Sequence, residues 1–311
     1  MSRDPDGESL TAFPTPHQLR SALRAGEVVV RHAGRPRAEL GPAFLRTPTE
    51  AVFSDRDLEL GAGLLLEAGF VTFPGNVVSP AVSLPTLLAM RPEEACELLL
   101  DRLLGARRPL WVTAAATESG VSPELIPDEA ARGLGEIFPD PDRRESFVLA
   151  LARRFSADER TRVGELAEEH VVACARAELS AAGRDDLVAQ VQRLSLISDQ
   201  LGYDVKAPCE GGDPRRLEVK GTRAQGSTVA IFLSRNEAQV ALQDPRWFLV
   251  LCRVGRDETV ELVGWTTGEG LRDRLPTDPE TGGAWQSTKI YIDTAELTGG
   301  LPTWRYSPLD E

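Results

Sequence analysis

The second half of the chain carries apolar runs whose length and spacing predict β-strands. Residues 247–254 form a continuous apolar run, which is typical of a strand buried on both faces. Four further segments predict strands by their β-branched content or by their alternation: residues 191–197, 229–233, 260–265 and 289–293. Ser234 precedes apolar positions at helical spacing and predicts a capped helix. The pattern predicts a mixed sheet flanked by helices, of the α/β or α+β class.

The first half of the chain is predicted to be mainly helical. A capped helix is predicted from Thr15, with Pro16 at its first position, and a second over residues 55–68. Gly69 should end the second helix, and short strands at 70–73 and 77–79 should follow, joined by a turn at 74–76. Helix, glycine, strand, turn and strand are similar to the end of a winged helix, although no basic recognition helix stands out. The alternative is a small helical domain used for packing.

A domain boundary is predicted near residues 140–157. The acidic helix from residue 92 through Leu104 is followed by a proline-rich stretch, and a short helix is predicted over residues 144–155. Ser156-Ala157-Asp158-Glu159 is a capping-box pattern, so a separate helix is expected from there to Gly183. The predicted organisation is a tail at 1–12, an N-terminal domain at 13–150 with a possible winged helix at 13–90, and a C-terminal domain at 151–311.

Composition narrows the functional classes. The chain has 311 residues, 41% of them hydrophobic and 27% charged, which is ordinary globular usage with material for two cores. Its four cysteines are scattered without a Cys-x-x-Cys pair, so a structural zinc site or a disulfide framework is not expected. Residues 1–11 lack an apolar signal core and no apolar run is long enough to span a membrane, which predicts a cytoplasmic protein.

Candidate chemistry lies on the predicted strand around residue 218. Side chains alternate along a strand, so Glu218 and Lys220 should share one face while Leu217 and Val219 point into the core. The turn chemistry at residues 210–214 predicts a hairpin that brings Asp204 towards Glu218. Two converging carboxylates are hard oxygen ligands that suit Mg²⁺. A solvated strand face is the alternative for the Glu-x-Lys pair alone.

These residues belong to a longer pattern that resembles a known family. The pattern contains a helical Gly-x-x-Ala-Glu-Glu motif at 164–169 and, further along the chain, five more segments: Ser198-Asp199, Gly202-Tyr203-Asp204, residues 217–222, residues 232–237 and residues 247–254. Residues 164–254 thereby resemble the NO VEIN C-terminal domain, a PD-(D/E)XK nuclease-like module often attached to bacterial restriction and antiphage proteins. The resemblance implies a metal-dependent endonuclease or nuclease subunit, and it does not extend to residues 1–150.

The resemblance also implies roles for individual residues. Asp204, Glu218 and the Val219 carbonyl would hold Mg²⁺, or Mn²⁺ in its place, and Lys220 would position the attacking water. Glu168 would supply the helix acid of the site, with Glu165 and Glu169 as solvated neighbours. Two alternatives remain for Glu237, which either lines the cleft or stabilises the start of its helix.

The net charge bears on the predicted DNA partner. A formal charge of −13 opposes phosphate binding, which depends on local basic patches: Arg215 with Arg216, Arg223 and Arg235. The acidic balance leaves open a catalytically inactive DNA- or protein-binding adaptor, or a winged-helix regulator. Double-strand cutting would need two sites, so a homodimer is a further expectation, as are partner proteins of a defence system.

Overall fold

The computed structural model describes residues 13–49, 52–117, 120–195, 201–276 and 285–303. The chain divides into two compact units, Met1–Ala157 and Asp158–Glu311. The predicted Ser198-Asp199 motif and the predicted N-terminal tail lie outside the described residues.

The first unit is mainly helical, as predicted. Its helices are α1 (Pro16–Arg31), α2 (Leu40–Leu45), α3 (Asp55–Glu67), α4 (Leu84–Leu88), α5 (Pro92–Arg107), α6 (Leu110–Ala115) and α7 (Asp128–Ile137). Its strands are β1 (Val71–Thr72), β2 (Ser79–Pro80), β3 (Ala116–Thr117) and β4 (Gly120–Val121). The Thr15 side chain accepts the Gln18 N–H and the Gln18 side chain reciprocates, which explains why α1 begins there. The apolar faces of α1, α3 and α5 meet in one core.

The predicted hairpin follows α3. Gly69 has a positive φ of 75°, a conformation that favours glycine and ends the helix. β1 and β2 pair antiparallel over two residues each, with a 3₁₀ turn at Pro74–Asn76 between them. The winged-helix assignment itself stays a prediction.

The two helices predicted between residues 144 and 183 are one. Helix α8 runs without interruption over Pro141–Ala181. The prediction of a break at Ser156 was wrong because a capping-box sequence caps a helix only where the preceding residues leave the helical conformation. Residues before Ser156, including Leu151 and Phe155, are buried in the core of the first unit and keep the helical backbone. The helix ends at Gly183, whose φ is 70°.

The second unit is built on a five-stranded mixed sheet in the order β10-β9-β7-β6-β5. The strands are β5 (Gln192–Arg193), β6 (Val205–Pro208), β7 (Pro214–Thr222), β9 (Trp247–Val254) and β10 (Val260–Thr267). β6 and β7 form the predicted antiparallel hairpin, and β7 pairs parallel with β9. Three helices complete this unit: α9 (Asp185–Val188), α10 (Arg235–Gln243) and α11 (Gly268–Leu271). The predicted mixed sheet flanked by helices is confirmed.

Strand β8 (Thr228–Ser234) does not enter the five-stranded sheet. It pairs antiparallel with β11 (Ser287–Asp293) to form a separate two-stranded sheet, the β8–β11 sheet. Both strands alternate buried and exposed residues, unlike the almost wholly buried β9. A strand with one apolar face is stable when that face packs on another sheet and the other faces water.

The five-stranded sheet has a separate apolar core on each face. One core joins Leu217, Val219 and Phe248 to the α8 residues Ala167 and Val171. The other, which we call the β8-side core, joins Trp247, Leu249 and Leu251 of β9 to the inward residues of β8 and β11. Gly221 allows the close approach of β7 to α8, because a Cβ there would lie 2.7 Å from the Val163 carbonyl oxygen.

Candidate active site

The central strand β7 places Glu218 and Lys220 on one face and Leu217 and Val219 on the other, as predicted. Leu217 and Val219 pack in the core against α8. Glu218 is buried, with 1% of its surface exposed, so the polar face of this strand is not a solvated surface. A buried carboxylate requires a charged or hydrogen-bonding partner, and Lys220 on the same strand is that partner.

Asp204 lies directly before β6 and is bonded to β7. The Asp204 N–H donates to the Leu217 carbonyl at 3.0 Å, and the Val219 N–H donates to Asp204 Oδ2 at 2.8 Å. Gly202 precedes it with φ 73°, and its carbonyl accepts the buried Trp247 indole N–H at 2.9 Å. The Gly-x-Asp motif thus fixes a turn that directs the carboxylate of Asp204 to the backbone of β7.

Lys220 is bound by two carboxylates. Its Nζ lies 2.5 Å from Glu218 Oε1 and 3.3 Å from Glu237 Oε2. Glu237 Oε2 also accepts the Ser234 N–H at 2.8 Å, completing the capping box that starts α10. Both alternatives for Glu237 therefore hold, because the residue starts its helix and also contacts the site. We call Asp204, Glu218, Lys220 and Glu237 the Lys220 cluster.

The Lys220 cluster contains three carboxylates and one ammonium group, and the protein covers most of the surface of these side chains. The pKa of Asp204 is raised to about 6, mainly by burial and also by the charge of Glu168, although the bond from the Val219 N–H lowers it. Burial also raises the pKa of Glu218 well above its usual value, although Lys220 opposes this. Burial lowers the pKa of Lys220, but the carboxylates of Glu218 and Glu237 outweigh burial and raise it. Such displaced pKa values are typical of functional sites.

Glu168 lies on α8 and has partners that the sequence did not indicate. Its Oε2 accepts from Arg193 Nε at 2.6 Å and from Ser195 Oγ at 2.5 Å. Glu169 lies 3.4 Å from Arg193 Nη1 and Glu165 lies 4.0 Å from Arg162, each in a more exposed ion pair. Glu168 is near enough to Asp204 to raise its pKa, and its role at a metal stays a prediction.

The donor set suits a divalent cation that keeps most of its waters. In the part of the chain that the structure describes, no group of three or more histidine, cysteine, aspartate or glutamate side chains is placed to hold a metal ion. Asp204 and Glu218 offer two carboxylates, and their pKa values are raised mainly by burial. Mg²⁺ is bound in many sites through only one or two carboxylates, with water completing the octahedron. These two residues fit such a site.

The predicted phosphate-binding arginines differ in their surroundings. Arg216 pairs with Asp244 and lies 5.6 Å from the centre of the Tyr203 ring, while Arg223 pairs with Glu159. Arg235 lies 5.7 Å from the centre of the Trp285 ring.

Arg215 was wrongly grouped with the phosphate-binding residues. It is fully buried and donates to the Pro302 carbonyl at 2.7 Å, to the Pro208 carbonyl at 3.1 Å and to Glu178 Oε2 at 2.7 Å. It lies on the same face of β7 as Leu217, so a phosphate cannot reach it. Its neighbour Arg216, on the other face, is partly exposed.

The comparison with protein families agrees with the resemblance found in the sequence. Residues 167–263, just under a third of the chain, match the family described as Protein NO VEIN, C-terminal. The matched segment includes Glu168 and every residue of the Lys220 cluster. Searches of curated proteins and of solved structures find no match to this chain. Among the described helices, none has both the length and the apolar character needed to cross a membrane.

Proposed function

We propose that the second unit is a divalent-metal-dependent nuclease that hydrolyses DNA phosphodiester bonds. The observation that carries this proposal is that the buried Glu218 carboxylate and the partly buried Asp204 carboxylate lie beside Lys220 of the central strand. Modules of the family that the segment matches often accompany bacterial restriction and antiphage proteins, so we extend the proposal to a role in such defence. DNA and the other proteins of such a system are the proposed partners.

The residues of the cluster have distinct proposed roles. Asp204 and Glu218 hold Mg²⁺ or Mn²⁺ together with the Val219 carbonyl, and Glu168 supports this site from α8. When bound, the cation supplies charge stabilisation at the scissile phosphate and lowers the pKa of a water ligand. Lys220 orients the attacking water, and Glu237 holds the Lys220 ammonium in place through its 3.3 Å contact.

The second candidate is a catalytically inactive adaptor that binds DNA or protein. It is favoured by the internal pairing of the charged residues: Lys220 is bound by Glu218 and Glu237, and Arg216 and Arg223 are bound by acids. An adaptor of this kind needs no open metal position.

Cleavage of supercoiled plasmid by the full-length protein separates the two candidates. The assay compares wild type, Glu218→Gln and Lys220→Met in Mg²⁺, in Mn²⁺ and in excess chelator. The nuclease proposal expects metal-dependent nicking by the wild type that falls by at least about 100-fold in each variant, since removal of one transition-state contact typically costs that much.

Two matched variants control for general effects. Glu261→Gln removes an exposed carboxylate on β10, and Lys206→Met removes an exposed lysine on β6. Both should cut like the wild type, and circular dichroism should show equal folding of all five proteins. Equal cutting by every variant, or no cutting in either metal, would overturn the nuclease proposal for this substrate and favour the adaptor.

A further inference from the structure

The outer face of the β8–β11 sheet exposes two aromatic side chains. Phe232 is 60% exposed and Tyr291 is 58% exposed, and they are the aromatic members of the exposed large apolar side chains in the described part of the chain. The inward-facing residues of the same strands, including Ile231 and Ile290, are buried in the β8-side core. The exposure of both rings therefore does not follow from poor packing of the β8–β11 sheet.

Lys289 lies between the two rings. It is directly opposite Phe232 in the antiparallel register, and Tyr291 is two positions further along β11. Lys289 Nζ lies 5.9 Å from the centre of the Phe232 ring and 5.3 Å from that of Tyr291. No described carboxylate forms an ion pair with it, in contrast to Lys220. We call Phe232, Lys289 and Tyr291 the aromatic platform.

The charged residues near the platform differ between the two ends of the β8–β11 sheet. At the end that leads into α10, the Arg235 guanidinium lies against the Trp285 ring. At the opposite end, Asp293 uses its carboxylate to accept the Ala295 N–H at 3.0 Å. A further aromatic ring with a cation beside it, Trp285 with Arg235, therefore lies at the end of the two strands that leads into α10.

We propose that the aromatic platform binds an unpaired nucleic-acid strand, with bases stacked on Phe232 and Tyr291 and a phosphate bound by Lys289. This proposal rests on the proposed nuclease function and specifies its substrate as DNA with a single-stranded segment. Exposed aromatic rings on a sheet surface stack on bases, and neighbouring cations bind the backbone. A duplex keeps its bases stacked on each other, so its bases cannot use the two rings.

The platform is close along the chain to the Lys220 cluster. Phe232 precedes Glu237 by five positions, so their Cα atoms are at most about 18 Å apart. Lys289 also differs from Arg216 and Arg223, because each of those two arginines is in an ion pair with an acid.

Fluorescence anisotropy of the full-length protein tests the platform without cleavage. Binding of a labelled oligo(dT) of about 20 nucleotides, longer than a typical site, is compared with that of a duplex of equal length in chelator. Phe232→Leu and Tyr291→Leu keep apolar bulk and remove the ring. Each should weaken single-strand binding about 10-fold and leave duplex binding unchanged. Lys289→Gln should lower the salt dependence of single-strand binding by about 0.7 in the logarithmic slope.

Conservative variants distinguish stacking from an apolar contact. Phe232→Trp and Tyr291→Phe should bind like the wild type, as should Leu242→Ala, which shortens an exposed apolar residue of α10. Unchanged single-strand binding in both leucine variants would overturn the proposal. Equal weakening of duplex binding, or loss of self-association instead of DNA binding, would also overturn it. The binding assay contains no divalent metal, so its result can be interpreted even if the nuclease proposal fails. If the leucine variants bind single strands like the wild type and the wild type still cleaves DNA, the platform proposal alone is refuted.

Discussion

Arg215 and Lys220 lie on opposite faces of β7 and have different surroundings: Arg215 is fully buried, and the Lys220 side chain is 20% exposed. Arg215 faces α8 and is satisfied by backbone carbonyls and the single carboxylate of Glu178. Lys220 faces the β8-side core and is bound by Glu218 and Glu237. The charge of Asp204 also raises the pKa of Lys220. The Lys220 cluster contains three carboxylates and one ammonium group, so negative charge there exceeds positive charge, and burial raises the pKa values of Asp204 and Glu218.

On the proposed function, this difference distinguishes a structural ion, Arg215, from an ion of the active site, Lys220. Neutral carbonyls and one acid balance Arg215, and nothing is left to attract another ion. The excess of carboxylates around Lys220 costs stability, and folding tolerates it only where something else is gained. Four predictions test this contrast, in order of decreasing effect on stability.

Loss of the structural cation should have the largest effect. Arg215→Met leaves the Glu178 carboxylate and two carbonyls without their donor and should lower the free energy of unfolding by about 3–5 kcal/mol. Because Arg stays charged at all working pH values, the loss should be nearly the same at pH 5 and pH 8. Urea unfolding measures it, and a loss below about 1 kcal/mol would show that Arg215 is not a structural ion.

Loss of the other cation should be pH-dependent. Lys220→Met leaves Glu218 buried without its partner and should cost about 3 kcal/mol at pH 8. The pKa of Glu218, already raised by burial, rises further without Lys220, so the carboxyl takes up a proton as the pH falls and the cost shrinks. Urea unfolding at pH 5 and pH 8 checks this, with Lys206→Met as the exposed control. An equal cost at both pH values would contradict the contrast with Arg215.

Asp204→Asn should stabilise the metal-free protein at high pH. The pKa of Asp204 is raised from 3.8 to about 6, so the folded state binds this proton more tightly than the unfolded state does. Stability from this group is present below pH 3.8 and is lost as the pH rises through about 6. Asn keeps an acceptor for the Val219 N–H and removes the charge, so the variant should gain up to about 2 kcal/mol at pH 8 relative to the wild type.

Divalent cations should narrow that difference. At ten times Kd, Mg²⁺ should stabilise the wild type by about 1.4 kcal/mol and leave Asp204→Asn nearly unchanged. Thermal unfolding at pH 8 with Mg²⁺ or chelator measures both. Equal stabilisation of the two proteins would remove Asp204 from the proposed metal site.

The smallest effects on stability are expected at the arginines predicted to bind phosphate. Arg216→Ala and Arg223→Ala each break a partly exposed ion pair and should cost less than about 1 kcal/mol. If each contacts a phosphate, duplex affinity should fall and the slope of log K against log salt should decrease by about 0.9 per residue. An unchanged slope would assign both residues to structure alone.

Much of the second unit was predictable from local spacing. The turn at residues 210–214 predicted the β6–β7 hairpin, the continuous run at residues 247–254 predicted β9, and alternation placed Glu218 with Lys220. Ser234 and Glu237 predicted their own capping box. Each of these features depends on residues a few positions apart, whose geometry the backbone largely fixes.

Only the tertiary structure decided how distant segments share space. The continuity of α8, the pairing of β8 with β11, the burial of Arg215 and the contacts of Glu168 with Arg193 and Ser195 all depend on residues far apart in the chain. Sequence spacing shows which face of a strand a side chain occupies, but not what covers that face. The amino-acid sequence therefore determined which charged groups Asp204, Glu218 and Lys220 supply. Packing decided that Glu218 is buried, that Asp204 and Lys220 are partly buried, and that carboxylates outnumber cations in the cluster.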